Sequence, residues 1–425
     1  MIEFATIWTW LLHFAFLYPL TMAWIWMVGA ITYYLRFEKR FTDVSTPQLS
    51  EYPGVSLIVP MHNEEAKARE TIMQLMRQDY PLFEVIAVND GSTDKTGAIL
   101  DEMVQEYDLL RVVHMPTNQG KAVGLNTAIM VARYEYLITI DGDALLDERA
   151  AKWFMSHFIG GPRVGAITGN PRVRNRSTLL GKLQVGEFSS IIGLIKRAQR
   201  TYGRIFTVSG VLAAFRRTAL HDIGYFSPEM LTEDIDISWK LQMSHWDIRY
   251  EPKACSWILM PETFKGLWKQ RLRWAMGGMQ VLFKYFSDLL KWRKRRMWII
   301  YVEFILSVLW AYVMGAIFVL WFIGLFWPLP EFLFVSTVLP RWHGVVLGLT
   351  CLAQIAVSIW IDARYDKGLG RKYFWMVWYP LAYWMLNMVT TIWAFPKILL
   401  RKRNARAIWV SPDRGIQPSN TNKSS

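Results

Sequence analysis

Long apolar runs stand at both ends of this chain and bracket a polar middle, and that placement restricts the fold more than any other feature. Trp8 to Tyr34 holds no charged side chain and only His13 interrupts it. A helix of about 20 apolar residues spans a bilayer. A cleaved signal peptide would have a shorter apolar core, basic residues before it and a small-residue cleavage site after it. Here only Glu3 precedes the run, and Arg36, Lys39 and Arg40 follow it. A retained membrane helix is expected, with its N-terminus outside and the residues beyond Arg36 in the cytoplasm.

Three further runs lie toward the other end: Ile299–Trp327, Gly344–Ile361 and Tyr373–Phe395. Trp and Tyr crowd their ends, as in interfacial belts. Asp362–Lys372 carries Arg364, Lys367, Arg371 and Lys372, which suits the cytoplasm. Three crossings would then leave the C-terminus outside. Yet Lys397, Arg401, Lys402, Arg403 and Arg406 favour the inside. Either Tyr373–Phe395 is re-entrant or broken near Pro380, or the charge rule fails here. Pro418–Ser425 reads as a disordered end.

Composition narrows the class. The 425 residues suit two to three domains. A 15% aromatic content, including 22 Trp, excludes a disordered chain and argues against an ordinary soluble enzyme. Two cysteines, Cys255 and Cys351, provide no disulfide framework. The histidines show no zinc-ligand spacing. The net charge of +13 comes from basic residues gathered at membrane boundaries. Anionic lipid is therefore the expected partner, and nucleic acid is not.

The polar middle alternates short apolar strands with helical segments. Strands are expected at Val55–Val59, Glu84–Val88, Leu110–His114 and Tyr136–Ile140. Helices are expected at Asn63–Gln78, Asp94–Tyr107 and Gly120–Arg133. That alternation predicts a parallel α/β sheet, which binds ligands beyond the carboxyl ends of its strands.

Polar residues collect at those ends. Pro60-Met-His-Asn-Glu-Glu65 follows the first strand, Asn89-Asp90-Gly91-Ser92-Thr93-Asp94 the second, and Asp141-Gly-Asp143 the last. Any one of these is ordinary turn or cap chemistry. Three on one rim point to a site. No P-loop or dinucleotide fingerprint is present. Asp141 and Asp143, one residue apart at a strand end, can hold Mg²⁺ or Mn²⁺, which takes one or two carboxylates plus substrate phosphates. Lys121 opens a helix, where its charge and the helix amides favour phosphate; a solvated surface lysine is the alternative.

Asp90, Asp141-Gly-Asp143, Thr232-Glu-Asp234 and Gln270-Arg-Leu-Arg273-Trp274 together resemble the D, DxD, D, QxxRW signature of processive family-2 glycosyltransferases. These include cellulose, chitin and hyaluronan synthases. Four longer runs resemble the bacterial poly-β-1,6-N-acetylglucosamine synthases of biofilm matrix: Val88–Thr96, Ile140–Leu146, Gly186–Lys196 and Trp409–Gly415. Some members of that group carry an additional N-terminal membrane helix that has no counterpart here, which bears on topology and not on chemistry.

The resemblance implies an α/β GT-A glycosyltransferase domain combined with transmembrane and interfacial α-helices. The expected divisions are an N-terminal membrane helix and basic flank (1–40), a cytoplasmic GT-A domain (41–262), interfacial amphipathic helices with QxxRW (263–297), a C-terminal membrane region (298–396) and a basic tail (397–425). Asp234 would be the general base and Glu233 its helper. Asp90, with Glu64 or Glu65, would face the nucleoside. Lys121, Asp141 and Arg273 would face the diphosphate, and Asp143 with Asp141 the metal. Gln270, Trp274, Ser209 and Gly210 would face the acceptor. Val208–Ala214 could equally be a small-residue core strand.

Implied partners are UDP-GlcNAc, the growing polysaccharide chain, membrane lipids and a small membrane accessory subunit, with cyclic di-GMP as a regulator. The implied location is the bacterial inner membrane, multi-pass. Residue chemistry alone stops at inverting, metal-dependent, processive glycosyltransfer. A non-processive lipid glycosyltransferase would share Asp90 and the Asp-Gly-Asp site, and a catalytically silent subunit would not need Asp234. Lys291–Arg296 should seat on anionic lipid. Glu303, just inside a membrane helix, should reach the interface or else face a sugar-lined channel.

Overall fold

Strand β1 (Val55–Met61) is buried at every residue, as a strand covered on both faces must be. Its alternate side chains serve two cores: Leu57 and Val59 join one apolar cluster, and Ile58 joins the other. The computed structural model describes residues 2–39, 46–335, 342–366, 369–372, 376, 379–402 and 405–408.

Seven further strands complete the sheet: β2 (Phe83–Asp90), β3 (Leu110–Met115), β4 (Tyr136–Ile140), β5 (Leu145–Leu146), β6 (Val164–Val173), β7 (Leu212–Arg216) and β8 (Asp247–Ile258). Their order is β3-β2-β1-β4-β7-β6-β8-β5. The first four are parallel, as the alternation predicts. The sheet as a whole is mixed, which corrects the all-parallel expectation. β7 runs antiparallel to both β4 and β6, and β5 runs antiparallel to β8. The Asp141-Gly-Asp143 turn, not a crossover helix, follows β4, so the parallel repeat ends there.

The flanking helices are α1 (Ile2–Tyr33), α2 (Ala68–Leu75), α3 (Thr96–Glu106), α4 (Lys121–Val131), α5 (Ala150–Ile159), α6 (Leu179–Glu187), α7 (Leu194–Tyr202), α8 (Arg217–Asp222) and α9 (Glu233–Met243). A π-helical stretch, Phe188–Gly193, joins α6 to α7. Helix α2 starts five residues later than expected at Asn63. Asn63 sits at φ 56°. Its Oδ1 accepts from Thr93 N at 2.8 Å, and Glu65 Oε2 accepts from Lys95 N at 3.1 Å. These side chains hold the facing loop instead of extending the helix.

Beyond the sheet come α10 (Phe264–Lys284), α11 (Phe286–Leu289), α12 (Trp298–Gly324), α13 (Trp342–Asp362) and α14 (Tyr379–Leu400). Among the described residues, three helices are long and apolar enough to cross a membrane: Thr6–Glu38, Trp292–Gly324 and Trp342–Asp362. The fourth apolar run supplies α14, which packs against α10 and α12. The end of the expected interfacial segment 263–297 divides. Val281, Tyr285 and Leu289 enter a core with Trp239 and Tyr301, while Phe286, Leu290 and Trp292 stay exposed.

A buried ionic cluster ties the long apolar helices to the sheet. Arg197 on α7 donates from Nε to Glu38 Oε1 at 2.6 Å and lies 2.8 Å from Asp362 Oδ1. Arg172 on β6 donates to Asp362 Oδ2 at 2.7 Å. Arg364, expected in a basic cytoplasmic loop, donates to the Glu38 carbonyl at 2.9 Å.

Candidate active site

The carboxyl end of β4 and the heads of α4 and α9 open on a cavity of about 1210 Å³. It is lined by Lys121, Asp141, Asp143, Ser209, Gly210, Glu233, Asp234, Gln270, Arg273 and Trp274. These are all the site residues expected from sequence except Glu64 and Asp90. The cavity continues among Tyr18 and Trp26 of α1, Glu303 and Ser307 of α12, and Tyr383 and Asn387 of α14.

Asp90 and Glu64 support the rim from beneath. Asp90 is fully buried. Its Oδ1 accepts from Gln119 N at 2.8 Å, and its Oδ2 accepts from Gly120 N at 2.9 Å. In this arrangement it fixes the turn that delivers Lys121 to the head of α4. Glu64 is buried and lies against Gly142 of the Asp-Gly-Asp turn. Gly120 adopts φ 92°, and a Cβ there would come within 2.1 Å of the Ala407 carbonyl oxygen.

Lys121 is the charge hub. Its Nζ lies 2.5 Å from Asp141 Oδ1 and 3.1 Å from Glu233 Oε1, and donates to the Gly210 carbonyl at 2.9 Å. Burial works against its ammonium form, but Asp141 and Glu233 outweigh burial and hold its pKa above the ordinary value. Asp143 is pushed up to about 7 by burial and by the charge of Asp141. Two carboxylates that oppose each other's ionisation suit a divalent ion. Among the described residues no cluster of three potential ligands exists, so phosphate oxygens and water would complete such a site.

Glu233 and Asp234 open α9, where carboxylates favour the helix N-terminus. They diverge in acidity. Burial pushes Glu233 up, but Lys121 and Arg273 outweigh it and leave the group below its ordinary range. Asp234 is pushed up to about 6 by burial and by its neighbour Glu233. Its Oδ2 accepts from Gly210 N at 3.2 Å. One ionised spectator beside one group poised near neutrality is the division that acid–base chemistry needs.

Helix α10 forms one wall of the cavity. Gly277 packs against Thr232, and a Cβ there would meet Thr232 Oγ1 at 2.1 Å, so only glycine lets α10 approach the head of α9 this closely. Arg273 donates to the Leu231 carbonyl at 3.1 Å. Gln270 Oε1 is buried without a hydrogen-bond partner, so a ligand donor is free to meet it. Arg271, to which sequence assigned no role, stacks on Trp274 with its guanidinium carbon 4.2 Å from the ring centre.

Of the two positions open to Glu303, it takes the cavity-facing one, where it hydrogen-bonds Trp26 and Gln199. The basic tail returns to the catalytic domain. Arg406 donates to Gln119 Oε1, and Ala407 N donates to the Pro228 carbonyl at 2.9 Å. Ala407 and Ile408 line the cavity. The Trp409–Gly415 motif and the Pro418–Ser425 end lie outside the described residues.

Residues 53–277 match the family described as glycosyltransferase like family 2, and the chain belongs to it. The relatives narrow the class to a family-2 polysaccharide synthase. The chain is 38% identical over 407 residues to the poly-beta-1,6-N-acetyl-D-glucosamine synthase of Staphylococcus epidermidis, a match covering 95% of this chain and 98% of that protein. It is 37% identical over 410 residues to the protein of the same name from Staphylococcus aureus (strain COL), with 95% and 98% covered. Among solved structures it resembles the mannosyltransferase PcManGT from Pyrobaculum calidifontis in complex with GDP-Man and Mn²⁺. That match has a TM-score of 0.62 and 21% identity, and covers 93% of this chain and 99% of that one. The sheet and the family together define a GT-A fold, joined here to long apolar helices that fit a membrane protein.

Proposed function

We propose that this chain polymerises N-acetylglucosamine from UDP-GlcNAc into a β-1,6-linked chain and passes the product across the bacterial inner membrane. The observation that carries the reading is one continuous cavity. It joins the carboxylates Asp141, Asp143 and Asp234 to the Gln270 and Trp274 wall, and then to polar residues on the membrane helices. The names of the relatives supply the donor sugar and the linkage.

In this reading Asp234 takes the proton from the C6 hydroxyl of the terminal acceptor sugar. That oxygen bonds to C1 of the donor sugar as the bond from C1 to the diphosphate oxygen breaks, and the electron pair leaves with UDP. One in-line displacement inverts the anomeric carbon from α to β. Lys121 and Arg273 offset negative charge on the departing diphosphate, and Glu233 keeps Lys121 in place. Asp141 and Asp143 would hold Mg²⁺ or Mn²⁺, which neutralises the same diphosphate when bound. Asp90 and Glu64 fix the loops beside the nucleoside. Trp274 offers a flat apolar surface to a pyranose, and Gln270, Ser209 and Gly210 offer polar contacts.

The same proposal assigns residues 41–262 as the cytoplasmic catalytic domain, 263–297 as interfacial helices and 298–396 as the membrane region. It includes a small membrane subunit and cyclic di-GMP as modulators. Membranes containing this chain, incubated with labelled UDP-GlcNAc and a divalent ion, should yield polymer that a β-1,6-N-acetylglucosaminidase digests. Asp234→Asn membranes should yield none. Label in resistant polymer, or in lipid extract, would sink the product assignment. No incorporation even with the accessory subunit and cyclic di-GMP supplied would sink the synthase reading.

A further inference from the structure

A second lysine reaches the same cavity, and no step above uses it. Lys196 lies on α7 at 6% exposure and lines the cavity. Its Nζ donates to Thr168 Oγ1 at 2.9 Å. Among the described residues no carboxylate forms an ion pair with it. An ammonium carries three donors, so this single neutral partner leaves capacity for a ligand. Burial pushes its pKa down to about 7, and Asp234 is the one charge that opposes the shift. A buried cation without a counter-charge is costly, and here it stands at the wall of a binding cavity.

Its position separates it from the diphosphate side. Thr168 Oγ1 also accepts from Ser209 N at 2.9 Å. The next residue, Gly210, turns its amide to Asp234 and its carbonyl to Lys121. Lys121 pairs with Asp141 and Glu233, whereas Lys196 is tied to Asp234 through Thr168, Ser209 and Gly210. The backbone that carries Ser209 and Gly210 thus links two lysines to Asp234, one of them engaged with the Asp-Gly-Asp turn. Three residues further along α7, Gln199 lines the same wall and bonds Glu303, so the polar surface continues toward the membrane helices.

We propose that Lys196 is an acceptor-positioning residue: its ammonium donates to a hydroxyl or amide carbonyl oxygen of the terminal acceptor sugar and holds that sugar's attacking hydroxyl against Asp234. The inference rests on the glycosyltransfer reading and deepens it by adding a contact on the acceptor side.

The test uses the full chain in detergent with a divalent ion, UDP-GlcNAc and soluble β-1,6-linked N-acetylglucosamine oligosaccharides. Lys196→Met removes the donors and keeps the stem; Lys196→Gln keeps a neutral donor and carries the test should the methionine variant not fold. The acceptor KM should rise about 10- to 100-fold for Lys196→Met, the loss expected of one hydrogen bond from a charged donor, and less for Lys196→Gln. Donor KM and UDP affinity should not change. Tryptophan fluorescence titrated with oligosaccharide alone should show the same order of affinities without turnover. An unchanged acceptor affinity in a folded variant, or equal losses for donor and acceptor, overturns the role of Lys196. A wild-type protein that neither transfers sugar to the oligosaccharides nor binds them overturns the parent reading.

Discussion

The guanidinium carbon of Arg271 lies 4.2 Å from the centre of the Trp274 ring, and the same group donates from Nη2 to Glu187 Oε2 at 2.7 Å. A carboxylate on α6 thus orients an arginine on α10, and the arginine covers one face of the indole. Arg271 and Glu187 are both buried, so their charges depend on each other. Glu187→Gln should leave a buried guanidinium uncompensated, a loss of about 3–5 kcal/mol in comparable pairs. The expected outcome is a lower melting temperature and shorter polymer. Trp274→Phe, which keeps most of the packing against the core, should shorten polymer while lowering the melting temperature less than Glu187→Gln. Thermal denaturation and gel analysis of chain length separate the two.

Asp234 acts as a base only when ionised. Burial and Glu233 raise its pKa to about 6, while Lys121 and Arg273 pull it down; Lys196 on α7 lines the same cavity. With metal ion and acceptor saturating, transfer should therefore fall about tenfold per pH unit below that value. Glu233→Gln removes the charge that raises Asp234, so the acidic limb should move to lower pH. Asp234→Asn should lower kcat by about 10²- to 10⁴-fold with UDP binding retained. Initial rates across pH, with UDP titration as control, check both.

Asp141 and Asp143 are expected to make donor binding metal-dependent. A chelator should abolish transfer, and Mg²⁺ or Mn²⁺ should restore it. Asp143→Asn should raise the metal concentration needed by at least the roughly 10–100-fold that loss of a supporting contact costs. Calorimetric titration of UDP with and without the ion reads this apart from turnover. Equal metal dependence in variant and wild type would remove Asp143 from the ligand set.

The parts of this site that sequence revealed are local. A strand, its terminal carboxylates and the helix that follows lie within one short stretch, so Asp141-Gly-Asp143 and Lys121 could be placed from pattern alone. The direction of β7 was not legible, because pairing across the sheet sets it and its own sequence does not. Nor were the ion pairs. Glu187 and Arg271 are separated by 84 positions, and Arg172 and Asp362 by 190. Lys196 sat inside a quoted motif without a role, since its isolation from carboxylates exists only in three dimensions. The placement of Glu303 stays open in the sequence because hydropathy reports apolarity and not which neighbour covers a charge.

Asp362 offers the sharpest test of how the membrane helices are held to the sheet. It closes α13, is fully buried, and sits between Arg172 and Arg197. Arg197 in turn binds Glu38 at the end of the first long apolar helix. Asp362→Asn keeps the shape and removes the charge, leaving two buried arginines with Glu38 as the remaining carboxylate. The expected cost is about 3–5 kcal/mol, since removing one partner strands the others. Glu38→Gln should cost less, because Asp362 still serves both arginines. Thermal denaturation in detergent should rank wild type above Glu38→Gln above Asp362→Asn. The reverse order would mean that α13 is anchored by apolar packing and that the cluster is incidental to it.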